Sequence, residues 1–203
     1  MKKLLFTVLF LTVFAVAAWA QAPQPFSLYA GGALSLPAAP DGFKEGYKTG
    51  FHGSIGFGYK AAPNTQIVAK VEHHQFPIDF DSNPLLSTLT GVEGGANKMW
   101  MFGVDARMSF ALPSSPVKPF VLGGLGMAKI QQSEFSGSNT LATSTLNSLI
   151  QEDQNKMYFN LGAGVELKAG PAWSLFAQLR YVSIATEGES SSFVPVTLGV
   201  KFF

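Results

Sequence analysis

The sequence predicts an all-β fold, namely an eight-stranded antiparallel up-and-down transmembrane β-barrel that follows a cleaved signal peptide. Three observations predict it. Side chains alternate between apolar and polar with a period of two, the alternating segments are roughly ten to thirteen residues long, and the connections between them alternate between short and long. A period of two is typical of strands with one apolar face. Segments of this length suit a strand that crosses a bilayer at a tilt of about 45°.

The N-terminal segment predicts export. Two lysines precede an apolar run over residues 4–17, and Ala18-Trp19-Ala20 then supplies small residues at the position that a signal peptidase needs. We therefore assign residues 1–20 to a secretory signal peptide that is cut before Gln21, and residues 21–203 to the barrel domain. An uncleaved anchor is the alternative, but the run is shorter than the ~20 apolar residues of a spanning helix.

The composition of the chain limits its chemistry. The absence of cysteine excludes disulfides, cysteine metal sites and a lipid-modified N-terminal cysteine. Without the two lysines of the signal peptide, 12 basic residues face 13 acidic ones, a net charge of −1. This balance argues against a nucleic-acid partner, because such proteins need a basic face. Charged residues make up 13% of the chain, about half of the share in soluble domains, which is too little for a conventional water-facing surface.

Eight strand candidates follow one another in the mature chain, and turn signals separate them. They are residues 26–36, 49–60, 65–76, 98–112, 119–130, 156–168, 172–184 and 193–203. The apolar phase is clearest through Ile67, Ala69 and Val71, through Trp100, Phe102, Val104, Ala106, Met108 and Phe110, and through Met157, Phe159, Leu161, Ala163, Val165 and Leu167. The glycine-rich stretches 53–58 and 123–126 lie inside these strands and open no helix. They therefore favour barrel curvature and interior space over a phosphate site.

The connections alternate in length along the chain. Short turns that contain proline lie at residues 61–64, 113–117 and 169–171. Longer connections, mostly rich in Gly, Ser, Asn and Thr, occupy residues 37–48, 77–97, 131–155 and 185–192. Odd and even connections fall at opposite ends of an up-and-down barrel, so the sequence predicts a short-turn end and a long-loop end. Outer-membrane barrels have this arrangement, with short periplasmic turns and long external loops.

These features and the final segment Leu198-Gly199-Val200-Lys201-Phe202-Phe203 resemble the small outer-membrane β-barrels of the OmpA/OmpX type, over residues 26–203. The resemblance implies residence in the outer membrane of a Gram-negative-type envelope, with lipid and the barrel-assembly machinery as partners. It also implies that Val200, Phe202 and Phe203 form the C-terminal assembly signal. Phe202 keeps the apolar phase of the last strand whereas Phe203 does not, so which phenylalanine acts as the signal stays open.

The apolar face is expected to look outward, toward lipid. A soluble lipocalin-like barrel is the structural alternative, and it would hide that face around a cavity. Its water-facing side would then hold small residues with almost no charge, which favours the membrane barrel. The expected lipid-facing positions include Leu28, Ile55, Val104, Leu161, Ala177 and Leu198. Aromatic residues toward the strand ends predict interfacial girdles, made of Phe26, Phe51, Tyr59, Trp100, Phe110, Trp173 and Tyr181.

The polar face is expected to fill the lumen. An eight-stranded barrel is just wide enough inside to be filled by side chains. The charges should pair there, because an unpaired buried charge costs several kcal/mol. The core of the expected network is a pairing between the third and fourth strands, with Glu166 and Arg180 added from the far wall. The whole predicted network comprises Lys70, Glu72, Asp105, Arg107, Glu166, Gln178, Arg180 and Lys201.

No catalytic, cofactor or metal site is predicted. Of the three histidines, His52 and His74 share the polar phase near the long-loop end and His73 does not. A metal or catalytic site would need convergent partners, so lumen or rim histidines are favoured. No serine lies at a recognisable spacing from a histidine and an acid. We therefore predict a non-enzymatic protein with a structural or loop-mediated role; a narrow passive channel and a lipid-modifying enzyme are the alternatives.

Two long loops are the predicted binding regions for an external ligand, because binding residues concentrate on loops held by a rigid scaffold. They are residues 77–97 and 131–155. A polar loop without a partner is the alternative for the second. In the first, Asn83 and Pro84 predict the start of a short helix over 84–89. In the second, a short amphipathic helix is predicted from Leu141, Leu146, Leu149 and Ile150.

Overall fold

A computed structural model describes residues 25–82, 91–110, 112, 115–150, 152–186 and 190–203. The predicted signal peptide and the helix predicted over 84–89 lie outside these residues. In chain order the described elements are β1 (Phe26–Ala39), α1 (Asp41–Gly46), β2 (Gly50–Ala62), β3 (Thr65–Phe76), β4 (Val92–Gly94), β5 (Asn97–Ser109), β6 (Val117–Gln132), β7 (Phe135–Gly137), α2 (Thr140–Ser148), β8 (Gln154–Lys168), β9 (Trp173–Ile184) and β10 (Ser191–Phe202).

Eight strands close into one barrel. Their order around it is β1-β10-β9-β8-β6-β5-β3-β2, and the neighbouring strands are antiparallel. The first and last strands complete the barrel, with Leu28 opposite Phe202 and Leu36 opposite Val194. Closure leaves the barrel without a free edge, as a strand assembly in lipid requires. The predicted all-β, eight-stranded antiparallel barrel is therefore confirmed.

The two ends of the barrel differ as the loop lengths predict. The short-turn end carries the connections at 63–64, 110–116 and 169–172, and the long-loop end carries those at 40–49, 77–96, 133–153 and 185–190. At the long-loop end, α1 follows β1, while β4 and β7 pair into a separate two-stranded sheet. The strands also run further than predicted at this end: β1 reaches Ala39 and β6 reaches Gln132. Ladder hydrogen bonds continue there after the apolar alternation has stopped.

No helix among the described residues is long and apolar enough to cross a membrane.

The two faces of each barrel strand separate by polarity. On the outer face, Ile55, Leu161 and Leu198 expose 66%, 63% and 61% of their surface. On the inner face, glycines lie beside large side chains. A Cβ at Gly124 would overlap the Asp105 carboxylate, so only glycine leaves that side chain its space. The small residues of the polar face thus give interior room to the charged ones, as expected for a narrow barrel.

Candidate functional site in the lumen and at the long-loop end

A first group of charged side chains, the central ion-pair cluster, joins four strands across the middle of the lumen. Arg180 donates to Glu72 Oε2 at 2.9 Å and to Glu72 Oε1 at 2.5 Å, the bidentate geometry that fits a guanidinium to a carboxylate. Lys70 Nζ lies 3.1 Å from Glu72 Oε2 and 2.8 Å from Asp105 Oδ2. Asn160 donates to Asp105 Oδ1 at 2.9 Å. Each carboxylate therefore has two partners within the cluster.

A second group, the short-turn ion-pair cluster, lies nearer the short-turn end. Arg107 Nη2 donates to Glu166 Oε2 at 2.6 Å, and Lys201 Nζ donates to Glu166 Oε1 at 3.2 Å. The Arg107 guanidinium also lies 3.5 Å from the ring centroid of Phe120, an arrangement in which the aromatic face attracts the cation. One buried carboxylate thus links β5, β8 and β10.

The partner of Arg107 differs from the expected one. Within the described residues Arg107 makes no ion pair with Glu72 or Asp105. The register of β3 on β5 sets Lys70 opposite Gly103 and Arg107 opposite Gln66, so the charges of the two strands do not share one depth. The expectation of a four-residue pairing between these strands was therefore wrong for Arg107. Gln178, the uncharged member of the predicted network, lines the cavity between the two clusters.

The histidines of the polar phase form a stacked pair. The rings of His52 and His74 have centroids 4.9 Å apart. Ser35 Oγ lies 3.1 Å from His52 Nδ1 and 2.9 Å from His74 Nδ1, and Thr197 Oγ1 lies 3.0 Å from His52 Nε2. All four side chains are buried. Sequence reasoning missed Ser35 and Thr197, although their inward phase on β1 and β10 is a signal that would have found them.

The lumen changes character toward the long-loop end, where an apolar cluster replaces the charges. Phe43 reaches it from α1, whereas its other members project from the barrel strands. The ring centroids of Phe43 and Phe76 lie 5.2 Å apart, and those of Phe76 and Phe193 lie 5.3 Å apart. The buried members of this apolar cluster are Phe43, Phe76, Met99, Met101, Ala128, Tyr158, Val182, Ile184 and Phe193.

Beyond the apolar cluster, two long loops build a cap, which consists of β4, β7 and α2. In the β4–β7 sheet, Val92 lies opposite Gly137 and Gly94 opposite Phe135. Gly94 has a φ of +96°, a conformation that L side chains rarely adopt. The cap has its own small core of buried residues, Ile78, Val92 and Phe135, against which Tyr47, Phe80, Ala142, Leu146 and Ile150 pack.

Side-chain hydrogen bonds fix α2 in the cap. Asn139 is its N-cap and accepts from the Ala142 backbone N–H at 3.2 Å. Asn147 accepts from the Phe135 N–H at 2.7 Å and donates to the Phe135 carbonyl at 3.0 Å, which ties the helix to β7. The helix predicted in this loop is therefore present. Its predicted apolar face was wrong in part, because Leu141 and Leu149 are 81% and 70% exposed.

Within the part of the chain that the structure describes, cavities lie in the middle of the lumen and at both of its mouths. A cavity of about 40 Å³ separates the two ion-pair clusters, and both Lys70 and Arg107 line it. One of about 200 Å³ opens at the short-turn end beside Lys118 and Lys201. Another of about 210 Å³ opens at the long-loop end beside Tyr47. The central cavity has room for only a few water molecules, at about 10–15 Å³ each.

Comparison with known proteins identifies the family. A family model described as "Outer membrane protein beta-barrel domain" matches residues 6–202. The chain belongs to this family. It is thus an outer-membrane β-barrel protein, as the resemblance to small OmpA/OmpX-type barrels implied. No curated protein sequence matches the chain.

Two solved structures are similar to this barrel in fold. Neisserial surface protein A, from Neisseria, superposes with a TM-score of 0.62 at 18% identity, over 88% of this chain and 97% of that one. A major outer membrane protein from Thermus thermophilus superposes with a TM-score of 0.55 at 12% identity, over 87% of this chain and 97% of that one. At these identities the likeness concerns the fold of the outer-membrane barrel.

The outer face of this outer-membrane barrel carries the aromatic residues predicted for the girdles. Those near the short-turn end are Phe26, Tyr59, Phe110 and Trp173, those near the long-loop end are Phe51, Trp100 and Tyr181, and all are exposed. The His73 ring lies on the same face, with its centroid 4.5 Å from that of Trp100. In the last strand, Phe202 points outward and is exposed. Phe203 comes directly after the strand, and the centroid of its ring lies 4.6 Å from Lys201 Nζ.

Among the described residues, no group of three or more His, Asp or Glu side chains is arranged to hold a metal ion.

Proposed function

We propose that this outer-membrane barrel has a structural or interaction role, that its own side chains close its lumen to solutes, and that recognition belongs to its long-loop end. The observation that carries the proposal is the succession of fillings along the lumen. The short-turn ion-pair cluster, the central ion-pair cluster, the histidine pair and the apolar cluster follow one another between the strands. The cavity between the two ion-pair clusters has a volume of only about 40 Å³.

Energetics support closure. Glu72 and Arg180 are 2% and 1% exposed, so neither charge is solvated by a water column. Opening the lumen would separate a bidentate pair, and the loss of one partner of a buried pair costs about 3–5 kcal/mol. A permanently hydrated pore would instead favour charges that point into water without fixed partners.

The ordered cap supports a role in recognition. In outer-membrane barrels the long loops face the cell exterior, and in this protein two of them share a sheet, a helix and a core of their own. A preformed surface binds at a lower entropic cost than loops that must be ordered first. Residues 77–97 and 131–155 therefore remain the proposed contact regions for an external ligand.

The proposal includes the route to the membrane. Residues 1–20 act as a signal peptide that is removed, and the barrel-assembly machinery then reads Val200, Phe202 and Phe203 in the last strand. Outer-membrane lipid is the permanent partner of the outer face. The outward orientation of Phe202 supports this residue, rather than Phe203, as the terminal aromatic of the signal.

A non-enzymatic role is also part of the proposal. The serine and histidines that do meet, Ser35, His52 and His74, are buried inside the barrel, where a lipid in the surrounding membrane has no access to them. A lipid A mass spectrum of cells with and without the protein tests this point. Identical spectra are expected, and a deacylated or newly acylated species that appears only with the protein would contradict it.

Conductance tests the closed lumen. The refolded protein should give no discrete current steps in planar bilayers. The double variant Glu72→Ala/Arg180→Ala removes two large side chains from the centre of the lumen, keeps the remaining Lys70–Asp105 pair balanced in charge, and should pass small ions. Leu161→Ala, on the lipid side, is the matched control and should stay silent. Steps from the unmodified protein would establish the narrow channel instead.

A further inference from the structure

Charge is distributed unevenly between the two ends of the barrel. Every acidic residue of the chain except Glu72, Asp105 and Glu166 lies in one of the four long connections, 40–49, 77–96, 133–153 and 185–190. The three short connections contain no charged residue, whereas β2, β6, β8 and β10 each carry one lysine near the short-turn end. These lysines are Lys60, Lys118, Lys168 and Lys201.

The short-turn end is therefore basic. In the part of the chain that the structure describes, Glu166 is the one acidic side chain at this end. Basic side chains outnumber acidic groups there even when the α-carboxylate of Phe203 is counted. The residues that adjoin these strands in sequence and lie outside the described set, 21–24, 111, 113 and 114, have no ionisable side chain, so the charge balance does not depend on them.

A surplus of positive charge is buried just inside this end. In the short-turn ion-pair cluster, Arg107 and Lys201 share the single carboxylate of Glu166. Arg107 is 3% exposed and Lys201 is 7% exposed, so water solvates neither cation well. The Lys201 ammonium has three N–H donors, and both of its hydrogen bonds within the described residues go to Glu166. One of its donors thus has no oxygen acceptor, and a buried cation without full compensation is costly.

The cavity of about 200 Å³ at the short-turn end opens on this surplus charge. We call it the lysine mouth. Lys60 and Lys118 line it together with Lys201, and the first two are exposed. Among the described residues, neither Lys60 nor Lys118 forms an ion pair. The central cavity, at about 40 Å³, holds only a few water molecules, whereas the lysine mouth has room for a polyatomic anion.

Uncharged polar residues complete the wall of the lysine mouth. Asn64, Thr65 and Ser109 line it. The Ser109 N–H donates to the Asn64 carbonyl at 2.8 Å, which holds the turn between β2 and β3 against the end of β5. Gln66 lines the cavity too, but its side chain is already hydrogen-bonded to two residues of β1. We therefore assign the ligand contacts to the lysines and leave Gln66 out.

The lysine mouth also borders the lipid-facing surface. Phe26 lines it, and the Phe26 ring stacks on that of Phe57, with the centroids 5.3 Å apart, on the outer face. Aromatic girdles of this kind lie at the level of the lipid headgroups, and the short turns of outer-membrane barrels face the periplasm. The mouth is therefore level with the headgroups of the inner leaflet.

We propose that the lysine mouth binds a phosphate group, carried either by the headgroup of an anionic phospholipid or by a free phosphate monoester. A phosphate group presents several anionic oxygens, and lysine ammonium groups bind it as point charges. A cationic ligand would meet three lysines, and a neutral ligand would leave the surplus charge uncompensated. The proposal goes beyond the recognition role at the long-loop end, because it concerns the opposite mouth of the barrel.

The test is a titration of the full chain, refolded in decyl maltoside, which carries no phosphate and no charge. Glycerol 3-phosphate should shift the backbone amide resonances of Asn64, Thr65 and Ser109, and acetate at equal ionic strength should bind more weakly. In phosphatidylcholine nanodiscs, added phosphatidylglycerol should shift the same resonances. A response to the lipid alone identifies a headgroup as the source, and a response to glycerol 3-phosphate alone identifies a free ester. Either response supports the phosphate site.

Lys118→Gln should weaken the binding about fivefold, which is the effect of one lysine near an anionic surface. Lys168→Gln is the matched control, because it removes the same charge from the same end but outside the lining of the cavity, and it should keep most of the binding. Heat-modifiable migration on a gel checks that both variants are folded.

Three results would each overturn the proposal. They are the absence of a response to both phosphate probes, binding of acetate as tight as that of glycerol 3-phosphate, and equal effects of Lys118→Gln and Lys168→Gln, which would indicate a diffuse surface charge in place of a site. None of these results alters the conductance test, so the closed lumen and the phosphate site can fail separately.

Discussion

The two halves of the lumen are built from the same inward phase of the same strands, yet they differ in filling: the half toward the short-turn end combines buried ion pairs with a small apolar cluster around Phe120, whereas the other half is packed mainly with apolar side chains. Toward the short-turn end and the centre, charged residues such as Glu72, Arg180 and Glu166 pair across the barrel. Toward the long-loop end, rings and aliphatic side chains such as Phe76 and Phe193 pack against one another. The first filling depends on direction and charge, whereas the second depends on volume.

The difference follows from what covers each region. The strands alone enclose the charged half, so its charged groups must satisfy one another through fixed hydrogen bonds. The apolar half is covered by α1 and adjoins the cap, and its side chains are buried against one another. Ion pairs therefore hold opposite walls in register, while the apolar cluster connects the barrel to its loops.

The largest effect is expected from breaking the central ion-pair cluster. Arg180→Ala should lower the free energy of unfolding by about 3–5 kcal/mol, because it leaves the Glu72 carboxylate buried with one cation in place of two. Urea titration of the refolded protein in detergent micelles, read by the gel mobility of the folded form, measures the change.

The paired removal is its control. Glu72→Leu/Arg180→Met replaces both charges with apolar groups and should lose clearly less than the sum of the single substitutions. Additive losses would mean that water solvates these charges, which would also argue against a closed lumen.

A somewhat smaller effect is expected in the apolar half. Phe193→Ala should cost about 3 kcal/mol through lost burial and the cavity left behind. Phe193→Leu should recover most of it, because volume matters here and direction does not. The same urea titration compares the two, and an equal loss in both would indicate that the ring geometry itself is required.

Asn139→Ala removes the acceptor for the Ala142 N–H. This loss of the N-cap should lower the stability of α2 by about 1 kcal/mol. Hydrogen exchange at Ala142 and Thr143 should accelerate while barrel unfolding stays unchanged, because the effect is confined to the cap. Thr140→Ala, one position along, keeps the cap residue and serves as the control. Loss of barrel stability would show that the cap and the barrel unfold together.

The smallest effect is expected at the foot of the cap, in the turn after β3. Asp79 accepts from the backbone N–H groups of Asp81 and Ser82, and its pKa lies below its ordinary value, chiefly because the Ser82 hydroxyl also donates to it. A carboxyl with a lowered pKa contributes above its ordinary pKa, and the contribution disappears as the pH falls through the lowered value.

The protection factor of the Ser82 amide, which is the intrinsic exchange rate divided by the observed rate at the same pH, should therefore fall in acid. The variant Asp79→Ala should show the low protection factor at every pH, whereas Asp81→Asn, which leaves the turn acceptor in place, should follow the unmodified protein. A protection factor that does not change with pH in the unmodified protein would remove Asp79 from this role.

The sequence predicts the barrel well because alternation is a local signal. Ile55 and Leu161 had to face outward once the strands were recognised, and Glu72 and Arg180 had to face inward. The partners of each charge depend on register and tilt, which are set by the whole closed barrel. For this reason Arg107 was expected to pair with the third strand, but it pairs with Glu166 on β8.

The cap was the least predictable part of the molecule. The strands β4 and β7 come from two different loops, and each strand is only 3 residues long. Such short strands carry no detectable alternation. The buried face of α2 differs from the predicted one because Ala142 and Leu146 pack against a core that includes Ile78 and Val92. The sequence of this loop alone does not reveal that core, since Ile78 and Val92 belong to the other loop.

The pairing of β4 with β7 has an immunological consequence. Its two strands are separated in the chain by the whole β5–β6 hairpin, so any epitope on the surface they share would be discontinuous. An antibody raised against the folded protein at this site would contact both loops at once, and a synthetic peptide copied from either loop would lack the opposing strand. An immunogen meant to display this surface must therefore carry the barrel that holds the two loops together.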